Sequence, residues 1–167
     1  MSHQEHKSGS PAVVGCFVLT VSDTRTPDTD TSGQAIRAML EEAGHVVTGS
    51  AIVRDEPADV ARAVRDGLDR PDTRVVISTG GTGITARDGT FEAVHELFEK
   101  RLDGFGELFR MLSFQDIGPA AMLSRATAGT IGRSAVFVLP GSEAAVRLAL
   151  SRLIIPELGH IAQQLTK

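Results

Sequence analysis

Short apolar runs alternate with amphipathic segments along most of the chain. The runs Ala12–Val21, His45–Val53, Val75–Ile77 and Ala135–Leu139 are rich in β-branched residues and predict strands. Apolar residues at helical spacing predict helices at 31–43, 57–69, 91–101, 104–115, 143–153 and 157–165. Alternation of strands and helices without an internal repeat predicts a three-layer α/β/α domain with a mostly parallel central sheet.

Capping residues predict where several helices begin and end. Thr31 starts a segment that resembles a capping box, Thr90 can cap the helix that follows it, and Ser142 is a good N-cap. Gly44 is placed to end the first helix. Pro156 is expected to break the last helical stretch in two, because a proline lacks the N–H that a helix interior needs.

The segment 104–115 is more apolar than a solvated helix requires. Its apolar positions are Phe105, Leu108, Phe109, Leu112 and Phe114. Such residues either pack in the core or form a contact between subunits, and both interpretations stay open. After this segment, Gly118-Pro119 is expected to start a turn and a short helix, and 125–131 a strand or extended segment.

The length of 167 residues is most simply explained by one domain with an ordinary core. We predict that this domain covers residues 12–167. Residues 1–11 are polar and lack the apolar run of a signal peptide, so we expect a disordered N-terminal tail.

Composition and net charge limit which kinds of partner and which cellular compartment we expect. The net charge is −4, from 17 basic and 21 acidic residues, and no basic run occurs, which argues against nucleic-acid binding. No apolar run approaches the roughly 20 residues that span a bilayer, so no membrane partner is expected. Cys16 is the only cysteine and lies in an apolar strand, which predicts a buried core residue and a cytoplasmic location.

The most concentrated candidate chemistry lies directly after the third strand. It comprises Thr79, Gly80, Gly81, Thr82, Gly83, Thr85 and Asp88. Glycines leave the backbone free to lie close against a ligand, and a bare loop that faces a helix N-terminus is suited to phosphate or another anion. A tight connection without a ligand is the alternative, and three glycines, three threonines and an aspartate within residues 79–88 make it the weaker interpretation.

Two familiar phosphate motifs can be tested against this loop. A P-loop requires Lys followed by Ser or Thr, whereas the segment here ends Ala86-Arg87-Asp88. Residues 81–86 do fit the dinucleotide pattern G-x-G-x-x-A. That pattern should follow the first strand and open a helix at once, so a dinucleotide-binding enzyme is the weaker alternative.

Three further turns follow predicted strands and should lie at the same edge of the sheet. Ser22 and Asp23 open a polar loop after the first strand. Asp55 and Glu56 follow the second strand, where favourable charge at a helix N-terminus explains them as well as a functional role does. The turn Pro140–Glu143 follows the last strand.

Several of these segments also match a known family. The matching pieces are LTVSDTR (19–25) with TSG (31–33), STGGTGITARDGT (78–90), GFGELFRMLSFQDIG (104–118) and LPGSEAAV (139–146). In this order they resemble the MoaB/MogA family of molybdenum cofactor biosynthesis proteins, which also includes the G domain of gephyrin-like proteins. The segment 104–118 resembles the MoaB branch, and the resemblance covers most of the chain from about residue 13.

The resemblance implies a domain that binds molybdopterin and adenylylates it: ATP and molybdopterin give adenylyl-molybdopterin and pyrophosphate, with Mg²⁺. By position, Asp55 and Asp88 match the two functional aspartates of the family, which implies that both are catalytic and hold the metal. The substrate- and phosphate-binding candidates are Ser22, Asp23, Thr79, Gly80, Gly81, Thr82, Gly83, Pro140, Gly141, Ser142 and Glu143.

The resemblance further implies a homotrimer or hexamer whose product passes to a MoeA-type molybdenum insertase. A rival hypothesis is a non-catalytic molybdopterin carrier or assembly scaffold, which would bind the pterin without releasing pyrophosphate. The dinucleotide alternative predicts nicotinamide binding instead.

Overall fold

A six-stranded sheet forms the centre of the protein, described for residues 9–167 by a computed structural model. The strands are β1 Gly15–Val21, β2 Val46–Val53, β3 Val75–Thr79, β4 Lys100–Arg101, β5 Thr127–Ile131 and β6 Ser134–Leu139. Their order is β2-β1-β3-β6-β5-β4, in which β1, β2, β3 and β6 are parallel. β5 is antiparallel to β6 and β4 is antiparallel to β5, so the mostly parallel sheet is confirmed.

Six α-helices accompany the sheet in the described residues. They are α1 Thr31–Glu42, α2 Pro57–Leu68, α3 Thr90–His95, α4 Asp103–Ile117, α5 Glu143–Ala149 and α6 Ile155–Leu165. A 3₁₀ segment, Gly118–Leu123, follows α4, and a π-helical turn, Leu150–Ile154, joins α5 to α6. No helix in this part of the chain is long and apolar enough to cross a membrane. Residues 1–8 of the predicted tail lie outside the described residues, and Ser10 donates a hydrogen bond to Gln163 on α6 (3.2 Å).

The central strands β1, β3 and β6 are buried almost along their whole length because both faces of the sheet are covered there. On β1, Cys16 and Val18 point into a core formed with α1, α4, α5 and α6. The alternate residues Phe17 and Leu19 point into a second core formed with α2 and α3. The predicted three-layer α/β/α architecture is therefore confirmed. Burial also raises the pKa of the Cys16 thiol to about 12, as expected for a core residue.

The parallel strands end in register. Val21 pairs with Val53, and Thr79 pairs with Leu139, while β1 and β3 are aligned at Thr20 and Thr79. The four turns that follow these strands therefore leave the sheet at one edge. Because β1 has β2 on one side and β3 on the other, the chain reverses direction across the sheet at this point, where open α/β sheets bind ligands.

The predicted helix 91–101 is wrong at its C-terminal half. α3 ends at His95, and residues 100–101 form β4 against β5. The backbone N–H groups of Glu99 and Leu102 donate to the carbonyls of Thr130 and Ala128, at 2.9 and 2.8 Å. This long-range pairing overrides the local helical pattern.

Two predicted N-caps are also displaced by one residue. Asp30, not Thr31, caps α1: its Oδ1 accepts from the Gly33 N–H at 2.9 Å, and its Oδ2 accepts from the Thr20 hydroxyl at 2.7 Å. Gly89, not Thr90, precedes α3. The Thr90 side chain is buried, and its hydroxyl donates to Asp55 Oδ1 (3.4 Å) instead of capping the helix. The predictions for Ser142 and Gly44 are confirmed.

Pro156 does not break the C-terminal helical stretch. The backbone continues from α5 into α6 through the π-helical turn, in which the Ile155 N–H donates to the Leu150 carbonyl five residues earlier. Such a turn inserts one extra residue into a helix without ending it. The proline is the second residue of α6 and directly follows the π-helical turn.

Helix α4 divides its apolar residues between the core and solvent. Phe105, Phe109 and Leu112 are buried. Six apolar residues of α4 and the 3₁₀ segment are exposed, and we call them the apolar face: Leu108, Met111, Phe114, Ile117, Met122 and Leu123. The predicted core role is confirmed for one side of the helix, and the other side leaves the predicted subunit contact as a proposal.

Candidate functional site

The candidate site is a crevice at the carboxyl edge of the sheet, where four turns meet. Ser22 follows β1, Asp55 follows β2, the loop from Gly80 to Gly89 (the glycine loop) follows β3, and Pro140 follows β6. The Gly80 N–H donates to the Leu139 carbonyl at 3.0 Å, and the Ser22 N–H donates to the Val53 carbonyl at 2.9 Å. Backbone hydrogen bonds therefore join the turns in two neighbouring pairs.

Glycine is required at two positions where the loop leaves β3. Gly80 and Gly81 have φ values of +97° and +67°, which side-chain-bearing residues rarely adopt. A Cβ at Gly80 would overlap the Val21 carbonyl oxygen, and one at Gly81 would lie 2.5 Å from Asp55 Oδ2. The close approach of these backbones to β1 and to Asp55 is what forms the floor of the crevice.

Asp55 is held rigidly beneath the glycine loop. Its Oδ1 accepts from the Gly89 N–H at 3.2 Å and from the Thr90 hydroxyl at 3.4 Å, which leaves Oδ2 facing Gly81. The side chain is buried, and this desolvation raises the pKa of Asp55 above its ordinary value. The negative charges of Asp88 and Asp23 raise it further.

Asp88 lies in the loop itself and has the opposite environment. Its Oδ2 accepts from the Thr85 hydroxyl at 2.6 Å and from the Thr85 N–H at 2.9 Å. These bonds, the Gly83 amide and the positive charge of Arg125 lower the pKa of Asp88. A Cβ at Gly83 would lie 2.6 Å from Asp88 Oδ2, so the carboxylate packs directly on the glycine backbone.

The two aspartates thus approach the same short segment, Asp55 at Gly81 and Asp88 at Gly83. The negative charge of Asp88 also contributes to the raised pKa of Asp55. Within residues 9–167, no three Cys, His, Asp or Glu side chains come together as a metal site. A cation at this position would have two carboxylates and the oxygens of a substrate as ligands, which is the arrangement Mg²⁺ prefers. The residues present fit that ion.

Asp23 is neutralised by an arginine that the sequence did not single out. Arg87 Nε and Nη2 donate to the two oxygens of Asp23 at 2.9 and 3.2 Å, and Nη1 lies 2.7 Å from Glu56. The pair holds the pKa of Asp23 below its ordinary value. Asp23 also accepts from the Asp55 N–H at 3.2 Å, so the polar loop after β1 supports the Asp55 turn.

A second arginine, also missed at the sequence level, binds the glycine loop from outside. Arg125 donates to the carbonyl oxygens of Thr82 and Gly83 at 3.0 and 2.7 Å. It pairs with Glu92 and lies 5.1 Å from the centroid of the Phe91 ring. No local pattern marks Arg125. It is 37 residues from Asp88 in the sequence, and the pairing of β5 with β6 brings it next to the loop.

A polar cavity of about 380 Å³ lies on the β1 side of the loop. Ser22, Arg25, Ser32 and Thr79 line it, together with the backbone of Gly80 and Gly81. Ser32 and Thr79 donate their hydroxyls to the carbonyls of Gly141 and Pro140, at 2.7 and 2.8 Å, which fixes the β6 turn. Arg25 supplies a positive charge to this cavity.

A more apolar cavity of about 440 Å³ lies on the other side. Gly81, Thr82, Gly83, Asp88, Phe109, Ser113, Ile117 and Leu123 are among its lining residues. Gly81, Gly141 and Ser142 line both cavities, so the two meet at the β3 and β6 turns. Each volume is in the range of small-molecule sites.

Most candidate residues from the sequence thus meet in one place. Glu143 differs, because its carboxylate pairs with Arg147 one turn along α5 (2.8 Å). Residues 81–86, which fit the dinucleotide pattern, do not open a helix, since α3 begins only at Thr90.

Comparison with known proteins gives the family. Residues 17–160 match the family model described as "Probable molybdopterin binding domain". Molybdenum cofactor biosynthesis protein B of Bacillus anthracis is 55% identical over 166 residues, 99% of this chain and 98% of that protein.

Solved structures agree with that match. A crystal structure of a molybdenum cofactor biosynthesis protein B has a TM-score of 0.92 at 54% identity, covering 94% of this chain and 98% of that one. The tungsten cofactor synthesizing protein MoaB from Pyrococcus furiosus has a TM-score of 0.85 at 37% identity, covering 95% and 100%. The chain therefore belongs to the MoaB/MogA family of molybdenum cofactor biosynthesis proteins.

Proposed function

We propose that the protein is a molybdopterin adenylyltransferase, which uses Mg-ATP to convert molybdopterin into adenylyl-molybdopterin and pyrophosphate. The observation that supports this most is the convergence of Asp55 and Asp88 on Gly81–Gly83, at the junction of two cavities. Transfer of AMP needs charge neutralisation and alignment of phosphates more than covalent chemistry from the protein.

The two cavities match the two kinds of group that the substrates carry. The polar cavity, with Arg25, the Ser22 hydroxyl and the backbone of Gly81, is suited to phosphate oxygens. The other cavity, with Phe109, Ile117 and Leu123, is suited to a flat heterocycle such as a pterin or adenine. Gly81 lines both cavities. A substrate with its ring in the apolar cavity would therefore carry its phosphates toward Gly81.

In this proposal the chain acts mainly by positioning. An oxygen of the terminal phosphate of molybdopterin attacks the α-phosphorus of ATP, and the bond to the β-phosphate breaks to release pyrophosphate. Bound Mg²⁺ would supply the positive charge that offsets the developing negative charge on the phosphates. Asp55 and Asp88 would hold it, and the backbone amides of the glycine loop would orient the phosphate oxygens.

Pyrophosphate release tests the activity directly. The purified protein is incubated with ATP, Mg²⁺ and molybdopterin, and pyrophosphate and adenylylated pterin are measured. The proposal requires both products, and requires that chelation of Mg²⁺ stop their formation. Molybdopterin binding without pyrophosphate would instead favour the carrier or scaffold, because that function needs the cavities but not the paired carboxylates.

We further propose that the apolar face is a contact between copies of this chain in a homotrimer or hexamer. Ile117 and Leu123 of this face line the apolar cavity, and the other four residues, Leu108, Met111, Phe114 and Met122, are available for a subunit contact. Replacing Met111 and Phe114 by glutamate should lower the mass measured by light scattering, while Glu42→Lys at an exposed position of α1 should not. Transfer of the product to a MoeA-type insertase is the step expected afterwards.

A further inference from the structure

We propose that Arg125 is a positioning residue that holds the glycine loop in its ligand-binding conformation before any ligand arrives. That the loop binds a ligand rests on the proposed function. That Arg125 holds the loop in place rests on its contacts with the loop backbone.

Arg125 binds the loop through its backbone. Nε donates to the Thr82 carbonyl at 3.0 Å and Nη2 to the Gly83 carbonyl at 2.7 Å, with the Asp88 carbonyl 3.5 Å from the same nitrogen. A guanidinium that binds consecutive carbonyls fixes the orientation of both peptide planes.

That orientation determines what the loop presents to the crevice. In a trans peptide the N–H points opposite to the C=O, so the Gly83 N–H points away from Arg125. On that side it interacts with the carboxylate of Asp88. Arg125 therefore orients Asp88 through the intervening peptide, without contacting its carboxylate oxygens.

The arginine is itself held firmly. Its Nη1 forms an ion pair with Glu92, and its guanidinium lies over the Phe91 ring, both in the first turn of α3. Only 25% of the side chain is exposed. A lysine would keep the charge but could not donate to two carbonyls and a carboxylate in fixed directions, because its ammonium is a point charge on a flexible stem.

The loop needs such a restraint because glycines lose much conformational freedom when they are ordered. With Arg125 in place, that ordering is complete in the free protein. Without it, the nucleotide would have to order the loop on binding, which weakens binding more than it slows the subsequent chemistry.

The test compares Arg125→Gln and Arg125→Lys with Arg70→Gln. Arg70 is the matched control, because it also donates to a backbone carbonyl, that of Thr48 (2.9 Å), and lies over an aromatic ring, that of Phe17, at the other end of the sheet. Hydrogen exchange is followed at the amides of Thr85, Asp88 and Thr90, which all donate within or next to the loop.

Loss of the two carbonyl contacts should speed exchange at these amides roughly tenfold in Arg125→Gln. Arg125→Lys should lie between this variant and wild type. Arg70→Gln should leave exchange at the three amides unchanged, even if both glutamine variants lower the midpoint of thermal unfolding. Unchanged loop exchange in Arg125→Gln, or an equal increase in Arg70→Gln, would overturn the proposal.

Kinetics give a second readout. We expect Arg125→Gln to raise the KM for Mg-ATP roughly tenfold while kcat falls less than about threefold, since binding now includes ordering of the loop. A fall in kcat with unchanged KM would contradict the positioning role. If wild type itself releases no pyrophosphate, the proposed function fails, while the exchange experiment still decides the role of Arg125.

Discussion

The turn that carries Asp55 and the loop that carries Asp88 meet at one point but are built in opposite ways. Asp55 lies at the end of a sheet strand, buried, with a raised pKa. Asp88 lies in a glycine-rich loop, with hydrogen bonds to Thr85 that lower its pKa. The sheet fixes the position of Asp55, but the surroundings of this side chain disfavour its charge. The surroundings of Asp88 favour its charge, but only contacts within the loop fix its position.

This difference suggests separate contributions to one cation site. Asp88 is ionised over the whole neutral range and can attract a cation at any time. Ionised Asp55 has two other acids near it and gains most from a positive charge, since an adjacent dication favours the ionised form. Substitutions of the two aspartates should therefore affect different properties of the protein, and to different extents.

Asp88→Asn should have the largest effect. The amide can still accept from Thr85, so the fold should persist, but the charge is lost. We expect AMP transfer to fall on the order of a thousandfold, because a catalytic metal supplies several kcal/mol of transition-state stabilisation. Pyrophosphate release at saturating Mg²⁺ measures this, and a rate within threefold of wild type would refute the role of Asp88.

Gly81→Ala should have the next largest effect, because it disrupts the point where the two regions touch. The new Cβ would overlap Thr90 Oγ1 and approach Asp55, at a backbone with φ of +67°. We expect a loss of about 3 kcal/mol in the free energy of unfolding, measured in urea.

Gly132→Ala is the matched control for this substitution. Gly132 also has a positive φ, +57°, but nothing lies within 4 Å of its Cβ position. It should lose only about 1 kcal/mol, from the backbone conformation alone. Equal losses at both glycines would show that the contact with Asp55 and Thr90 is unimportant.

Asp55→Asn should stabilise the protein while it lowers activity. The amide oxygen can accept from the Gly89 N–H and the Thr90 hydroxyl as Oδ1 does now, and the disfavoured charge is removed. We expect a gain on the order of 1 kcal/mol in the free energy of unfolding at pH 7 in metal-free protein. Glu56→Gln, at the exposed neighbouring residue, serves as control and should produce no gain.

The difference in stability between Asp55→Asn and wild type should depend on pH in a definite direction. The folded-state pKa of Asp55 is above 3.8, so the folded protein binds this proton more tightly than the unfolded chain. The contribution of Asp55 to stability is therefore most favourable below pH 3.8 and is lost as the pH rises through the folded-state pKa. The advantage of Asp55→Asn should disappear at low pH and grow as the pH rises, and a constant difference would contradict the raised pKa.

Arg87→Gln should have the smallest effect. Its bonds to Asp23 and Glu56 bridge the two regions, but 53% of its side chain is exposed, and exposed ion pairs contribute little. We expect the midpoint of thermal unfolding to shift by less than about 2 °C, and less still at high salt. A larger shift would show that the bridge, and not the packing around Gly81, holds the two turns together.

Local patterns were sufficient to predict every strand except β4, and the loops that form the site. The strands that lead into the site begin as apolar runs, and their ends are marked by polar or glycine residues, as at Ser22, Asp55 and Gly80. The parallel sheet then brings these ends together by its geometry. The position of Asp55 next to Asp88, 33 residues away, follows from that geometry, although the choice of Asp55 over Glu56 came from the family resemblance.

Features that depend on long-range contacts were not predictable in this way. β4 exists because its backbone pairs with β5, and Asp30 caps α1 partly because Thr20 on β1 binds its other oxygen. Arg87 and Arg125 act on the site through partners distant in sequence, and nothing near either residue indicates those partners. Sequence patterns describe what a segment can do alone, while these residues are defined by what packs against them.

Crystals grown with ATP and with Mn²⁺ in place of Mg²⁺ would show whether Asp55 and Asp88 hold one cation beside the glycine loop. Anomalous scattering locates the manganese without ambiguity. We expect a peak in contact with both carboxylates and with phosphate oxygens, and a weaker peak in Asp88→Asn. A manganese ion bound to nucleotide but distant from both aspartates would contradict it.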